Sequence, residues 1–289
     1  MKLALGTAQF GLDYGIANQK GQVTIDNARS ILSYAMDNGI MTLDTAIGYG
    51  DSEKHLGEAG VENWQVVTKL PSATENRQDV EYWVKEAVVN SMKRLNLTQL
   101  YGLLLHRPLE LLGKDGNALF RALQQVKQEG MVRKIGISIY DPTELDRLCN
   151  RFKFDLVQAP FSIIDRRILT SGWMRRLHES GIEIHVRSIF LQGLLLMESS
   201  NRPEKFRRWE SLWQKYDAWL EANNVSPLQA CLSFPSSFNE IGKIIVGVDS
   251  LQQLKEVVQA MNISVPPVAA ELVSQDLELV DPARWAELA

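Results

Sequence analysis

The sequence predicts an α/β fold in which eight parallel strands alternate with helices and close into a (β/α)8 barrel, the TIM-barrel architecture. Eight short apolar runs recur along the chain, and a helix-like segment follows each of them. The runs are mainly apolar rather than alternating, which is typical of strands buried on both faces of a parallel sheet. The length of 289 residues suits one barrel of about 250 residues with its loops. We therefore expect one domain over residues 1–289, in which residues 264–289 form a short C-terminal tail.

Taken in chain order, the apolar runs define the individual strands. The predicted strands span residues 2–6, 40–44, 65–69, 101–105, 134–138, 155–158, 182–187 and 243–247. A short helix is expected over 51–60. The segment 80–95 has the clearest helical pattern, because its apolar residues recur on one face: Val80, Val84, Ala87, Val88, Met92 and Leu95. Neither a short repeat nor a linker divides the chain.

An open doubly wound sheet is the alternative α/β layout. That layout needs a turn of the form G-x-G-x-x-G after its first strand, followed by a helix. The glycines at this place are Gly6, Gly11 and Gly15, whose spacing does not match, and no helix is expected to begin there. The closed barrel is therefore the preferred prediction.

Composition argues against several classes of function. With 45% hydrophobic residues the chain can bury a large core, and its net charge of −4 gives no reason to expect nucleic acid or a membrane surface as a partner. Cys149 and Cys231 lie in helix-like segments and predict neither a disulfide framework nor a metal site. The start M-K-L-A-L-G-T-A-Q-F lacks the apolar core of a signal peptide, and no stretch approaches transmembrane length. We expect a cytoplasmic protein.

Ionisable residues follow three consecutive predicted strands. In G-I-M-T-L-D-T-A-I-G-Y-G-D-S-E-K-H-L-G, Asp44 ends the second strand and Tyr49 lies on the loop beyond it. Lys69 ends the third strand in W-Q-V-V-T-K-L, and His106 ends the fourth in Y-G-L-L-L-H-R-P. Each has an ordinary explanation by itself, such as a helix cap, a packed loop aromatic or a residue satisfied locally. Because barrel active sites lie at the carboxyl ends of the strands, the four together predict one site.

These side chains suit the reduction of a carbonyl group. Hydride transfer leaves negative charge on the oxygen, which then needs a proton donor held close by. A phenol with a pKa of about 10 is a poor acid unless a cation stabilises its phenolate. We therefore expect Tyr49 to be the general acid, Lys69 to supply the cation and Asp44 to hold the ammonium. His106 would donate a hydrogen bond to the substrate oxygen and orient it. Because no protein side chain donates a hydride, a cofactor must supply it.

The order Asp44, Tyr49, Lys69 and His106 resembles the aldo-keto reductases, whose pattern is D-T-A-x-x-Y-G followed by a strand-end lysine and a strand-end histidine. The resemblance covers nearly the whole chain. It implies an oxidoreductase that reduces an aldehyde or ketone to an alcohol. It also implies a nicotinamide cofactor, NADPH or NADH, that binds without a Rossmann domain.

The same resemblance assigns contacts at the nicotinamide and the pyrophosphate. R-K-I-G-I-S-I-Y and Q-A-P-F-S-I-I-D-R are similar to family segments in which Ser138 and Gln158 would bond the nicotinamide amide, although Ile139 replaces the usual asparagine. Arg187 stands where an aromatic ring normally stacks on the nicotinamide, and a guanidinium can also lie flat against a ring. H-V-R-S-I-F-L-Q-G-L-L resembles the segment that lines the pyrophosphate, which implies contacts from Ser188, Leu191, Gln192 and Gly193.

At the adenosine end, I-I-V-G-V-D-S-L-Q-Q-L-K-E-V resembles the last strand and helix of the family. The resemblance assigns contacts there to Gly247, Ser250 and Gln253, whereas Val257 replaces an expected asparagine. An acid such as Asp249 would repel a 2'-phosphate and could accept a hydrogen bond from a ribose hydroxyl. The choice between NADPH and NADH stays open at this point.

A basic cluster after the seventh strand has two interpretations. The cluster consists of Arg202, Lys205, Arg207 and Arg208. Its long connection could fold over the cofactor phosphates as a lid. The preferred interpretation is a solvated helix face.

The substrate pocket is expected between the loop from Ala8 to Gly21, with Phe10 and Tyr14 as its aromatic residues, and the tail beyond Pro266. This tail is short beside those of many relatives. A more open cleft follows, which could admit a bulky or charged carbonyl compound such as a sugar derivative. The remaining histidines, His55, His178 and His185, are expected to have structural or surface roles.

Two other functions compete with the reductase. Some barrels of this family bind a nicotinamide cofactor as a sensing or regulatory module, and the replacements at Ile139 and Arg187 favour that alternative. The complete set of four strand-end residues argues against it. An isomerase or lyase that works through a Schiff base would need Lys69 to be desolvated and unpaired. The sequence assigns no oligomeric state.

Overall fold

The predicted barrel is confirmed by a computed structural model, which describes residues 1–16, 18, 20–72, 79–261, 263 and 265–288. Eight strands form a closed sheet in chain order, and β8 pairs in parallel with β1. Each observed strand matches a predicted one, with ends that differ by at most two residues. The strands are β1 (Leu3–Gly6), β2 (Thr42–Asp44), β3 (Gln65–Leu70), β4 (Leu100–Leu105), β5 (Val132–Ser138), β6 (Leu156–Pro160), β7 (Glu183–Arg187) and β8 (Lys243–Gly247).

Helices and short 3-10 turns connect the strands. The helices are α1 (Ala8–Gly11), α2 (Ile25–Asp37), α3 (Ser52–Ala59), α4 (Val80–Leu95), α5 (Gly116–Gln128), α6 (Thr143–Leu148), α7 (Arg167–Thr170), α8 (Trp173–Glu179), α9 (Glu210–Asn223), α10 (Pro227–Ser236), α11 (Leu251–Ala260) and α12 (Leu277–Val280). The 3-10 turns span Pro108–Leu112, Leu191–Leu196, Ser199–Asn201, Glu204–Trp209 and Pro282–Glu287. Helices α3 and α4 occupy the two segments for which the sequence predicts them.

The expectation that no helix follows the first strand is wrong. The single-turn helix α1 begins two residues after β1 and packs against the loop that follows β2. Two glycines make this contact possible. A Cβ atom at Gly11 would lie 1.8 Å from the carbonyl oxygen of Tyr49, and one at Gly50, whose φ is +53°, would lie 2.4 Å from the carbonyl oxygen of Gly11. The helix and the Tyr49 loop are thereby held together.

Alternate strand residues fill the inside of the barrel. Val67, Leu104 and Leu156 form a separate buried cluster. Because side chains two positions apart on a strand share a face, Lys69, His106 and Gln158 lie on the same inner face, one layer nearer the carboxyl ends of the strands. The fold thus brings polar side chains from distant parts of the sequence to one end of the barrel.

The basic cluster after β7 agrees with neither interpretation in full. Arg202 is not solvated, because its side chain is only 5% exposed, forms an ion pair with Asp217 at 2.5 Å and lies 4.9 Å from the centre of the Trp213 ring. Lys205 donates to the carbonyl oxygen of Trp285 at 2.9 Å. Arg207 and Arg208 are exposed as predicted, although Arg208 also pairs with Glu278 of the tail at 2.6 Å. Aromatic packing and the tail thus hold three of the four residues.

The remaining histidines occupy structural or surface positions, as expected. His55 has its Nδ1 atom 2.7 Å from the carbonyl oxygen of Phe10, and His178 is exposed on α8. His185 is fully buried in β7 with Nε2 2.8 Å from Glu183 Oε1.

Both cysteines are free thiols. No helix in the described part of the chain is long and apolar enough to span a bilayer. Residues 17 and 19 of the expected pocket loop, and residues 264 and 289 of the expected tail, lie outside the described ranges.

Candidate active site

A cavity of about 680 Å³ opens at the carboxyl ends of the strands. Three of the four strand-end residues, Asp44, Tyr49 and His106, line it together with Arg187. The cavity continues to Asp249, in the segment after β8, and to Glu256 on α11. Its volume is in the range of cavities that hold cofactors and small substrates.

Asp44 and Lys69 form a buried ion pair at the floor of the cavity. Lys69 is 1% exposed and Asp44 is 4% exposed. The Lys69 ammonium donates to both carboxylate oxygens of Asp44 and, at 2.9 Å, to the backbone carbonyl of Thr45. Burial lowers the pKa of Lys69, whereas the charge of Asp44 and its hydrogen bond oppose that effect. The pair therefore fixes a charged ammonium where the fold would otherwise disfavour one.

Ser138 and Gln158 extend this pair into a chain of hydrogen bonds across four strands. Gln158 Nε2 donates to Asp44 Oδ1 at 2.7 Å, and Ser138 Oγ donates to Gln158 Oε1 at 2.9 Å. Both residues are buried and lie behind the described wall of the cavity. Ile139, which follows Ser138, is also fully buried. These residues stabilise the carboxylate of Asp44 in the structure described here.

Tyr49 lies above the pair on the loop between β2 and α3. The loop is closed by a hydrogen bond from its backbone N–H to Ala46 O at 3.0 Å, in addition to its packing against α1. Lys69 Nζ lies 5.2 Å from the centre of the Tyr49 ring, and the His106 ring meets it edge-on with centres 6.0 Å apart. The four residues that the sequence singles out therefore meet in one place.

The electrostatics of Tyr49 differ from the expectation based on Lys69. Burial, followed by the negative charge of Asp44, raises the pKa of Tyr49 above its usual value, and the positive charge of Arg187 opposes this rise. The phenol is therefore protonated at neutral pH. Burial, followed by the charges of Lys69 and Arg187, lowers the pKa of His106 to about 4, so its imidazole is neutral at pH 7.

Arg187 ends β7 and projects its charge into this region. Its guanidinium donates to Ile139 O at 2.9 Å and to Ser188 Oγ at 3.2 Å. The guanidinium carbon lies 4.8 Å from the centre of the Tyr140 ring. Arg187 is thus anchored by a backbone carbonyl, a hydroxyl and an aromatic face.

The segment after β7 has an unusual backbone. Positive φ angles occur at Ser188 (60°), Leu191 (45°), Gln192 (52°) and Gly193 (94°). Non-glycine residues rarely adopt this conformation, which costs free energy and is concentrated at functional sites. Turns of this kind point backbone N–H groups into concavities that bind anions. Ser188, Gln192 and Gly193 line the cavity, whereas Leu191 is buried beneath it.

The residues after β8 form the far wall. Gly247, Asp249 and Gln253 line the cavity, but Ser250 instead caps α11, where its Oγ accepts from Gln253 N at 3.3 Å. Gln253 Oε1 accepts from Asp249 N at 2.6 Å. Asp249 Oδ1 is buried without a hydrogen-bond partner among the described residues, and burial raises the pKa of this carboxyl. Such an acceptor suits a ligand hydroxyl.

The cavity lies between the loop and the tail that the sequence predicts, since Gln9, Tyr14 and Asn18 line it from the loop and Asp281, Pro282 and Ala283 line it from the tail. The expectation for Phe10 is wrong. Phe10 is fully buried in the core, because α1 packs it inward, whereas Tyr14 lines the cavity as expected. Tyr140 could have been found, since it lies just beyond the end of β5, as His106 lies just beyond the end of β4. Four other wall residues had no local pattern to reveal them: Ser226, Pro227, Leu228 and Glu256.

Comparisons with known proteins agree with this geometry. The sequence model described as "Aldo/keto reductase family" matches residues 2–274. A Bacillus subtilis protein named "Uncharacterized oxidoreductase YqkF" is 26% identical over 90% of this chain and 91% of its own length. A "D-threo-aldose 1-dehydrogenase" from a Pseudomonas species is also 26% identical, over 91% of this chain and 92% of its own.

The fold also has a solved counterpart. The holo form of an aldo-keto reductase from Bacillus halodurans superimposes with a TM-score of 0.71 and 22% identity, covering 100% of this chain and 92% of the other. At this level of identity, the likeness supports the (β/α)8 barrel and says nothing further about chemistry.

Proposed function

This chain belongs to the aldo/keto reductase family and is an oxidoreductase, and we propose that it reduces an aldehyde or ketone to an alcohol with NADH or NADPH, with Tyr49 as the proton donor. One observation carries the proposal. The buried pair of Lys69 and Asp44 lies directly beneath a protonated Tyr49 and a neutral His106, at the wall of a cavity large enough for cofactor and substrate.

The residues of the cavity fit a nicotinamide cofactor. Ser188, Gln192 and Gly193 would face the pyrophosphate through their left-handed backbone, and Asp249 offers a buried oxygen to a ribose hydroxyl. Ser138 and Gln158 would contact the nicotinamide amide only after their hydrogen bonds to each other and to Asp44 are rearranged. When bound, the cofactor supplies the hydride that no side chain can donate.

The protein's own part in the reaction is the transfer of one proton. The O–H bond of Tyr49 breaks and a new O–H bond forms on the substrate oxygen, which carries negative charge after the carbonyl has gained a hydride. An alkoxide is a stronger base than a phenolate, so the transfer is downhill although the pKa of Tyr49 is raised. The cations of Lys69 and Arg187 stabilise the phenolate that remains, until solvent returns its proton.

His106 is proposed to orient the substrate as a neutral hydrogen-bond donor. Because its pKa is lowered to about 4, it does not change charge near neutrality. We expect kcat/KM for aldehyde reduction to show no ionisation between pH 6 and 8, where an ordinary histidine with a pKa of about 6.5 would titrate. Initial rates across this range, for the wild type and for His106→Gln, measure the pH dependence of kcat/KM. An inflection near pH 6.5 that disappears in His106→Gln would contradict the neutral role.

The charge of the far wall favours NADH over NADPH. Asp249 and Glu256 both line the cavity there, and no lysine or arginine is among the described wall residues on that side. The charges of Lys20 and Asp13 also act on Asp249, but they oppose each other. A 2'-phosphate would be repelled by both carboxylates, whereas a ribose 2'-hydroxyl could donate to Asp249 Oδ1.

We expect NADH to bind about tenfold more tightly than NADPH, which corresponds to about 1.4 kcal/mol. Quenching of tryptophan fluorescence measures both affinities without turnover. Asp249→Ser should remove most of the difference by strengthening NADPH binding. Glu86→Gln, an equal change of charge on the exposed face of α4, should preserve it. Tighter binding of NADPH by the wild type would show that the two carboxylates do not select the cofactor.

A sensing module with little turnover is the second candidate function. The observation that favours it is the position of Ser138 and Gln158 behind the wall, bonded to one another. The reductase is preferred because a binding module has no need of Tyr49, Lys69 and His106 around one cavity. Oxidation of NADH and NADPH with an activated aromatic aldehyde discriminates the two, since a pure binding module gives no turnover.

The Schiff-base alternative does not survive the geometry. It needs an unpaired lysine, whereas the buried Lys69 is ion-paired with Asp44. A small carbonyl compound remains the proposed substrate, and the relative named as an aldose dehydrogenase supports a sugar derivative as one class to assay.

A further inference from the structure

We propose that Arg187 binds an anionic group of the substrate, so that the preferred substrates are small carbonyl compounds carrying a carboxylate or a phosphate. The inference rests on the proposed reductase function and specifies the substrate class for the same site. Its basis is a guanidinium in the wall of the cavity that lacks an acidic partner.

Arg187 brings a positive charge into the wall of the cavity. Among the described residues that line the cavity, Arg187 is the sole lysine or arginine. Arg167 pairs with Asp165 and Asp141, and Arg202 pairs with Asp217. No such ion pair involves Arg187 in the described part of the chain. Arg166 forms no ion pair in the described part of the chain either, but it lies outside the cavity wall and donates to the carbonyl oxygens of Ile163 and Ala269. A half-buried cation without a counter-ion is costly unless a ligand supplies the opposite charge.

The guanidinium of Arg187 also has N–H donors that its contacts in the protein do not use. A guanidinium has five N–H donors in a planar fork. Arg187 uses donors for Ile139 O and Ser188 Oγ, and one face of its plane lies against Tyr140. These contacts fix the group and leave N–H donors over. A fixed fork with spare donors suits the two oxygens of a carboxylate or the oxygens of a phosphate.

Arg187 lies in the same cavity as the groups proposed to act on the carbonyl. Arg187, Tyr49 and His106 line one cavity, and the charge of Arg187 opposes the rise in the pKa of Tyr49 and adds to the lowering of the pKa of His106. An anionic group bound to Arg187 therefore lies close to the carbonyl that Tyr49 and His106 would hold. By contrast, the far wall carries the carboxylates of Asp249 and Glu256, which would repel the same anion. The cavity thus has one side at which an anionic substrate can bind.

The activity test uses matched pairs of aldehydes. Glyoxylate, succinic semialdehyde and 4-carboxybenzaldehyde vary the distance from carbonyl to carboxylate, and their methyl esters are the neutral partners. Glyceraldehyde 3-phosphate against glyceraldehyde tests phosphate. We expect at least one anion to exceed its neutral partner in kcat/KM by about 10- to 100-fold, mostly through a lower KM. If the carboxylate pairs show this preference and the phosphate pair does not, the anion is a carboxylate, and the converse assigns a phosphate.

Substitutions assign the preference to Arg187. Arg187→Met should abolish the preference for the anion, and Arg187→Lys should restore only part of it, because the ammonium keeps the charge and loses the fork. Arg107→Met is the matched control. Arg107 lies against the same Tyr140 ring, 5.4 Å from its centre, but is exposed and does not line the cavity. The control should keep the preference of the wild type.

A binding measurement makes the test independent of turnover. Titration of the NADH-loaded protein with 4-(hydroxymethyl)benzoate, a product alcohol, should give heat that is lost in Arg187→Met, whereas its methyl ester should bind weakly to both proteins. This result would support the anion site even if no aldehyde were reduced, which would count against the proposed reductase alone. Equal binding of acid and ester by the wild type would overturn the inference. So would an Arg187→Met variant that weakens NADH binding and reduces both partners of each pair equally, since Arg187 would then act on the cofactor.

Discussion

Replacing Tyr49 with phenylalanine is expected to lower kcat for carbonyl reduction by about 10²- to 10⁴-fold, the usual contribution of a general acid. The substitution removes the phenol oxygen and keeps the ring, whose edge contact with His106 and position above Lys69 should persist. Affinity for the cofactor should therefore change little. Steady-state oxidation of NADH with 4-nitrobenzaldehyde gives the rate, and fluorescence quenching gives the affinity.

Tyr14→Phe is the matched control for this result. Tyr14 also lines the cavity, and burial also raises its pKa, but its hydroxyl is engaged with Gln192 at 3.4 Å rather than placed over Lys69. Its loss should therefore cost far less than that of Tyr49. Near-normal turnover in Tyr49→Phe would remove Tyr49 as the proton donor, and a large loss in Tyr14→Phe alone would transfer that role to Tyr14.

The floor of the site could be predicted because it depends on local patterns. Asp44, Lys69 and His106 each follow an apolar run, and the topology of a parallel barrel places all such residues at one end. Their meeting required no knowledge of side-chain contacts. The same rule would have found Tyr140, which lies two residues beyond the end of β5.

Other parts of the site depend on contacts that have no local pattern. Gln158 bonds to Asp44 across 114 residues, a contact that no local pattern in the sequence predicts. Phe10 was expected in the pocket, but the close approach of Gly11 and Gly50 creates α1 and turns the ring into the core. The sequence contains no pattern for such an approach of two backbones.

For Tyr49, the position could be predicted from the sequence but the direction of its pKa shift could not. Lys69 could be placed near the phenol from the sequence, and a lowered pKa was the natural expectation. The opposite direction follows from burial and from Asp44, whose effects depend on depth and distance in the folded protein. Arg187 opposes them from the end of β7, which is distant in the sequence from the Tyr49 loop. Composition and spacing do not determine the balance of these opposing effects on the pKa of Tyr49.

Asp44→Asn is expected to destabilise the protein by about 3–5 kcal/mol at pH 7, because it leaves the Lys69 ammonium buried without its counter-ion. The amide of asparagine has nearly the same shape, so packing changes little and the lost charge dominates. Catalysis should fall as well, since the cation beneath Tyr49 is no longer held. Urea denaturation at several pH values measures the change in the free energy of unfolding.

The pH dependence identifies the cause. Burial already lowers the pKa of Lys69 and Asp44 opposes this, so removing the carboxylate lowers that pKa further below the unfolded value of about 10.4. Between the folded and unfolded pKa the unfolded chain binds more protons, so the stability of the variant should rise with pH relative to the wild type. Asp26→Asn, at an exposed ion pair with Arg29, should leave the free energy of unfolding within experimental error of the wild type. A loss in Asp44→Asn that is as large at pH 9 as at pH 7 would mean that lost hydrogen bonds, rather than an unpaired ammonium, destabilise the variant.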